Sequence, residues 1–594
     1  MDIKISDYIV DFIASQGVKH VFMLPGGMAM HLNDSLGNTK KLKYVCCINE
    51  QAGTYMAESY ARVSNNLGVM ITTCGPAATN TVTGIAASWI ESTPLLVITG
   101  QVKRADMNHN PNLRQLGVQE VNIVDIVKPI TKYAVTVTDP ALIKFELEKA
   151  VWVATHGRKG PVLLDIPVDI QAVRVNVDEL QSFIPSTEDM SIDSSSIHEI
   201  VKLIEKAKRP VIYAGAGIQM AKAENEFFSL AEKLQIPVLT NWNGMGLIAH
   251  DHPLYVGRPG AVGQRAANFV LQNSDLLIVL GTRLSLLQTG YNFEAYARNA
   301  KIVMVDIDGA ELNKSTIHPD FKFHCDVKVF INELLAREIK PADFGSWLKQ
   351  CKIWNIQYPS LNKEWLKSDY VNSFYLLDEI SSQMQNDDVF VGGRAGTCVD
   401  AAIQAFKVKP YQQVYVTKGL SSMGYGLPAA IGAAYATGKT IVSVIGDGGF
   451  AMTAQELELI RRDNLPIKLF ILDNSGYSTV RNTQCNIFDK HFVACNEKSG
   501  LTIGNLSKII TAYGIDVIDL TEPEKMVESV ARVLNHNKAI ACVVKIAPDQ
   551  SIEPRQASYR LPNGQMASRP LEDMRPLLPR EELEEIMNIS NLRK

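Results

Sequence analysis

The chain has 594 residues, is 46% apolar and 21% charged, and carries a formal net charge of −4. That length exceeds one hydrophobic core and predicts two to four domains, while the charge gives no electrostatic case for nucleic acid or an anionic membrane. The amino terminus reads as an amphipathic helix rather than a signal peptide, no apolar run reaches membrane-spanning length, and nine cysteines without repeated spacing fit a reducing cytoplasm.

Strand-like runs alternate with helical patterns along most of the chain. "HVFML", "YVCCI", "GVMIT", "PLLVITG" and "PVLLDIP" come first. "PVIYAGAG", "IPVLTNW", "DLLIVLG" and "KIVMVDID" form a second set, and "DVFVGG", "TIVSVIGDG", "IKLFILDN" and "AIACVVKI" a third. This rhythm predicts βαβ units around parallel sheets buried on both faces. A Ser/Asp-rich linker at 184–199 and a second join at 338–365 separate the sets. We therefore expect three doubly wound α/β domains, at 1–183, 190–340 and 366–548, each of ordinary domain size. The tail, 549–594, has little apolar periodicity and must lie on something else to be ordered.

Two strand exits carry chemistry. Gly446-Asp447-Gly448-Gly449 ends an apolar strand and opens a helix, where glycine N–H groups can approach a phosphate. Asp-Gly pairs are common turns, but "IKLFILDN" delivers Asn474 27 residues after Asp447. In a parallel sheet both strand ends open onto one carboxyl-side crevice. Asp447, the Asn474 amide oxygen and the Gly476 carbonyl are hard oxygen donors suited to Mg²⁺ together with phosphate oxygens and water. Earlier in the chain, Asn49 reads as a helix N-cap and Glu50 as a first-turn carboxylate.

"GDGGF" followed by a strand ending in "DN" resembles the diphosphate-binding motif of thiamine-diphosphate enzymes. "NEQAGTYMAESYARVSNNLGVMITTCGPAATN", "GRKGPVLLDIPVDI" and "KGLSSMGYGLPAAIGAAYA" are similar, in order and spacing, to the acetolactate (acetohydroxyacid) synthase branch of that family, and the likeness covers about residues 1–548. The resemblance implies that Glu50 contacts the aminopyrimidine N1′ of the cofactor and favours the tautomer that removes the thiazolium C2 proton. It places Met423 beneath the bent cofactor, flanked by Gly424 and Gly426, and Ser421 beside the pyrimidine. Gly26, Gly27, Pro76 and Asn80 are implied contacts from the first block, as are Thr397, Gly448, Gly449 and Tyr477 from the third. Gln119 matches a glutamine near the reacting carbon. One departure is visible: the family's Gly-Gln-His falls on Ala395, Gly396 and Thr397, which weakens the phosphate contacts expected from that loop. Glu50 and Asp447 lie on different blocks, and the resemblance implies that they meet across two subunits of a homodimer or homotetramer.

Members of this branch hold an FAD that takes no net redox part. The corresponding positions are Gly215 in "AGAG", Thr240 and Asn241 in "TNWNG", Gly257 and Gly260 in "GRPG", Arg283 in "GTR", Asp306 in "DID", and Asp326. Arg283, the "GRPG" turn and Asp326 favour FAD.

The donor side of the resembled site is kept and the acceptor side is changed. An arginine that holds the acceptor 2-ketoacid in the family falls on Leu287, a tryptophan on Thr483, a phenylalanine on Val118 and a lysine on Val168. Without a cation, an entering carboxylate forfeits a charge-assisted bond of about 1.5–3 kcal/mol. The tail also carries five arginines, Arg555, Arg560, Arg569, Arg575 and Arg580, and no lysine between the first and the last. Solvated surface charge is the ordinary explanation, although arginine forks also suit phosphate. "RPLEDMRPLLPREEL" resembles the tails of thiamine-dependent enzymes of branched-sugar pathways of the yersiniose type. The expected function is a carboligase that decarboxylates pyruvate and transfers the acetyl unit to a bulky carbonyl, such as a nucleotide-linked keto-deoxysugar in surface-polysaccharide biosynthesis. The alternatives are acetolactate synthase with a divergent pocket, and a 2-ketoacid decarboxylase or acyl-CoA lyase.

Overall fold

Strands such as Gly68–Thr72, Leu95–Gln101 and Pro161–Pro167 are buried at every residue, so helices must cover both faces of their sheet. Three parallel six-stranded sheets result, one from each set of apolar runs. The structure is a computed structural model that describes residues 2–186, 192–393, 396–416 and 418–588.

With strands counted along the chain within each sheet, the first and third sheets share the order 2-1-3-4-6-5. The middle sheet instead runs 3-2-1-4-5-6, the order of dinucleotide-binding folds. In each doubly wound sheet the order reverses beside the first strand, which leaves a crevice at the strands' carboxyl ends.

The helix after the second strand of the first sheet, Glu50–Ser64, packs on its counterpart in the third, Gly426–Thr437. Their backbones come so close that a Cβ on Gly432 would lie 2.2 Å from the Met56 carbonyl oxygen. Ser59 Oγ donates to the Ala429 carbonyl at 2.8 Å, and Tyr425 OH to Glu58 Oε2 at 2.8 Å. One apolar core runs through both blocks, from Phe22 and Tyr55 to Ile431 and Ile471.

The tail lies along the middle and third blocks. Two short ribbons and the helix Arg580–Met587 dock there, with Leu571, Leu583 and Ile586 joining the core of the middle block. Gln404 of the third block donates to the Pro554 carbonyl at 2.8 Å, and Asn268 of the middle block to the Leu571 carbonyl at 3.0 Å. No disulfide joins any of the nine cysteines, and no helix among the described residues is long and apolar enough to cross a membrane.

Candidate active site

The third sheet builds a cavity of about 350 Å³ at its order-reversal point. Its first strand, Val389–Gly392, delivers Gly396 and Thr397. The third strand, Ile441–Gly446, delivers Asp447 through Gly449, and the fourth, Ile467–Asp473, delivers Asn474, Gly476 and Tyr477. Ser421 and Met423 close the wall from the loop before Gly426–Thr437. All nine third-block residues expected at the cofactor and metal therefore line one space. Ala395 lies outside the described residues.

Asp447 is 2% exposed, and burial pushes its carboxyl up to about 6 against the pull of N–H groups from Gly476, Gly448 and Asn474. Its Oδ2 accepts from Asn474 N and Gly476 N, both at 3.2 Å. Asn474 Oδ1 is buried without a hydrogen-bond partner, an arrangement that costs free energy unless a ligand satisfies it. A cation bound by both oxygens would relieve both costs, so these residues fit Mg²⁺. Among the described residues no three His, Cys, Asp or Glu side chains form a metal site, which leaves this mixed oxygen set as the candidate. Gly448 is required by its surroundings, because a Cβ there would lie 2.5 Å from the Tyr477 ring and 2.9 Å from Met423 Cε.

Three side chains at this cavity escaped the sequence reading. Arg481 is buried, and its guanidinium donates to the carbonyls of Asn474 at 3.2 Å, Ser475 at 3.0 Å and Cys495 at 3.2 Å. It braces the loop that carries the oxygen donors. Lys418 pairs with buried Asp400, and both line the cavity, where Lys418 is the one cation among the lining residues. A lysine among loop glycines and an aspartate in a helix give no signal until the fold joins them.

On the first sheet, Asn49 caps its helix as expected, accepting from Gln51 N at 2.9 Å and Ala52 N at 3.3 Å. Glu50 is buried, and its Oε2 accepts from Asn80 Nδ2 at 2.9 Å. Pro76 opens the short helix that ends at Asn80. Gly26 passes so near Thr73 that a Cβ would lie 2.3 Å from it, whereas Gly27 has open space. Gln119 is exposed on a loop and holds a φ of +63°, pressed against Gly75. None of these first-block residues lines the Met423 cavity of the same chain. A further link between the blocks was not foreseen: buried Glu456 accepts from Ile48 N at 3.2 Å, just before Glu50, and burial raises its carboxyl to about 7.

The middle sheet forms a second cavity at its own reversal point, where Gly217 and Gly281 nearly touch. Asn241, Arg283, Asp306 and Asp326 line it; Gly215, Thr240, Gly257 and Gly260 do not. Gly215 serves the close approach instead, since a Cβ there would lie 2.3 Å from the Gly281 carbonyl oxygen. The "GRPG" turn faces the third block, where buried Arg258 donates to the Phe406 carbonyl at 2.7 Å. Burial pushes Asp306 up to about 6. Arg158 of the first block reaches this cavity and pairs with Asp308 at 2.7 Å and Glu311 at 2.9 Å. Glu91 ties all three blocks, accepting from Asn243 Nδ2 at 2.6 Å and Gly419 N at 3.1 Å.

The four acceptor positions are scattered in a single chain. Val118 is 76% exposed and Val168 6%. Leu287 is packed against the apolar core of the third block, and Thr483 is exposed with its hydroxyl turned back to the Thr479 carbonyl at 3.1 Å.

Three family descriptions match the chain: thiamine pyrophosphate enzyme, N-terminal TPP binding domain, over residues 3–126; central domain, over 197–334; and C-terminal TPP binding domain, over 394–544. The acetolactate synthase large subunit of Cyanidium caldarium is 33% identical over 543 residues, covering 89% of this chain and 90% of that protein. The acetolactate synthase large subunit of Lactococcus lactis is 30% identical over 559 residues, covering 92% and 93%, and the chloroplastic acetolactate synthase of Arabidopsis thaliana is 33% identical over 553 residues, covering 90% and 80%. The chain belongs to the thiamine pyrophosphate enzymes, on their acetolactate synthase-like branch, and is a thiamine-diphosphate-dependent enzyme that forms carbon–carbon bonds.

Proposed function

We propose that this carboligase decarboxylates pyruvate and transfers the acetyl unit to a bulky carbonyl acceptor without a 2-ketoacid carboxylate, in the first instance a nucleotide-linked keto-deoxysugar. The observation that carries this reading is Leu287, an apolar side chain embedded against the third-block core where the resembled family places the acceptor's cation. Thr483 and Val118 add small, exposed side chains where bulkier ones are expected, which suits a large acceptor.

In this reading Asp447, Asn474 and the Gly476 carbonyl hold Mg²⁺ and through it the cofactor's diphosphate, while Met423, Ser421 and Tyr477 shape the space for its rings. The bound thiamine diphosphate supplies the carbanion-stabilising chemistry. Glu50, held by Asn80, would hold the proton at the cofactor's ring nitrogen, and Gln119 would stand near the reacting carbon. Since Glu50 does not line the Met423 cavity of its own chain, a second copy of the chain supplies it, and the working unit is at least a homodimer. Arg283, Asn241, Asp306 and Asp326 fit the polar half of a dinucleotide at the middle cavity, and we assign FAD there. A flavin absorption band in the purified protein tests that assignment, and a colourless, flavin-free enzyme with full turnover overturns it.

Incubation with pyruvate alone tests the acceptor. Our reading expects slow pyruvate consumption with little acetolactate, and acceleration when a nucleotide-linked keto-deoxysugar is added. The names of the relatives support a second reading, acetolactate synthase itself, and rapid acetolactate formation at ordinary pyruvate concentrations would establish it and end the first.

A further inference from the structure

Four of the tail's five arginines fall into two contrasting pairs. Arg569 and Arg580 both bind Asp573, each at 2.7 Å. Arg555 and Arg575 do not share it. They stand directly opposite each other in a two-stranded antiparallel ribbon, Arg555–Gln556 against Met574–Arg575. Directly opposed residues project from the same face of a ribbon, with Cβ atoms about 5 Å apart. The neighbouring pair, Gln556 and Met574, points inward and is buried, whereas Arg555 and Arg575 are exposed. Neither has an anionic partner among the described residues. Like charges facing each other in a ladder destabilise it, so an otherwise unsupported position holds two forks side by side.

The ribbon is fastened to the turn that carries Leu287. Gln556 N donates to the Ala261 carbonyl at 2.6 Å, and Ala261 N donates to the Leu287 carbonyl at 2.7 Å. The Gln556 amide also fills the space above Gly290, where a Cβ would lie 2.6 Å from its Nε2. The ribbon that bears the paired charge is therefore joined to the apolar acceptor position through the backbone of a single turn residue, Ala261.

The geometry points to Arg555 and Arg575 as a diphosphate-binding pair that holds the nucleoside diphosphate of the acceptor, while the sugar carbonyl reaches past Leu287 toward the reacting carbon. Two guanidinium forks at this spacing match the oxygens of adjacent phosphates, and a diphosphate would turn the ribbon's repulsion into attraction. This inference rests on the proposed nucleotide-linked acceptor.

Its test uses the full-length enzyme saturated with thiamine diphosphate and Mg²⁺, so that the cofactor's own diphosphate site is filled. Titration with cytidine and uridine diphosphates is compared among the parent, R555A/R575A, and R560A, an exposed tail arginine opposite Met566. The double variant should bind at least one of the two nucleotides roughly tenfold or more weakly than the parent, the scale of losing charged hydrogen bonds, and R560A should match the parent. The double variant should melt no lower than the parent, because a repulsion has been removed. Pyruvate consumption without acceptor should be unchanged. Equal nucleotide affinity in the double variant and the parent, or binding of neither nucleotide by the parent, overturns the inference. Rapid acetolactate formation by the parent would instead remove the sugar-acceptor reading, independently of the nucleotide titration.

Discussion

The first and third blocks are built alike and the middle block differently, and their chemistry divides along the same line. The matched pair shares one strand order and packs through equivalent helices at the Gly432–Met56 approach. Each sets a carboxylate beside an asparagine, Glu50 with Asn80 on one and Asp447 with Asn474 on the other. Neither set is complete, because the Met423 cavity is walled by third-block residues alone. The middle block has the dinucleotide order, and its cavity closes on itself with help from Arg158 and Glu91 of the first block. The matched topology leaves Glu50 outside the Met423 cavity of its own chain, whereas the middle crevice is completed within one chain by residues 90–92 and 155–159 of the first block.

The largest effect that sharpens this contrast is expected from Glu50→Gln. Turnover should fall roughly 10²- to 10⁴-fold, the usual worth of a positioned proton-transfer group, while thiamine diphosphate still binds within a few-fold of wild type. Steady-state rates and cofactor titration check both halves, and near-full activity would remove Glu50 from the mechanism. Next comes Arg481→Met, which leaves the oxygen donors in place but removes the brace on four carbonyls, those of Asn474, Ser475, Cys495 and Pro548. Mg²⁺ affinity should drop roughly 10- to 100-fold, as for other outer-shell partners, and a Mg²⁺-dependence curve reads it directly.

Glu456→Gln probes the seam between the matched blocks. The carboxyl of Glu456 is raised from its ordinary 4.5 to about 7 by burial, so the folded protein holds a proton there that the unfolded chain releases. Its contribution to stability is fully present below about pH 4.5 and is lost as pH rises toward 7, by up to about 1.4 kcal/mol per pH unit. The variant should flatten that part of the stability–pH curve in denaturant titrations, and an unchanged slope would show that Glu456 is ionised when folded. Arg158→Ala should have the smallest effect, about 1 kcal/mol from two partly exposed ion pairs. It should weaken binding at the middle cavity and leave the Mg²⁺ dependence untouched.

Local patterns carried much of this into the sequence. Glycine placement marked the Asp447 turn, Asn49 marked the start of its helix, and apolar runs marked all three sheets, because each depends on neighbours within a few residues, whereas Glu50 was singled out by the family resemblance. What could not be read depends on distant partners. Glu456 meets Ile48, Lys418 meets Asp400, and Arg481 gathers carbonyls from two loops; none of these pairs leaves a spacing in the chain. The tail was legible only as a segment needing a surface, and the fold supplies one in the Ala261 and Leu571 contacts. Of the positions expected at FAD, Gly257 and Gly260 shape a turn against the third block rather than the cavity wall, a distinction that glycine content alone does not make.

The claim that the two half-sites meet across copies has a direct test. Glu50→Gln and Asp447→Asn chains, each expected to be nearly inactive alone, are co-expressed and purified together without separating the pairings. In a mixed dimer one site has both defects and the other has none, so random pairing should restore about a quarter of wild-type turnover, given a symmetric two-copy assembly. If each chain builds its site from its own Glu50 and Asp447, every site in the mixture keeps one defect and activity stays at the level of the single variants.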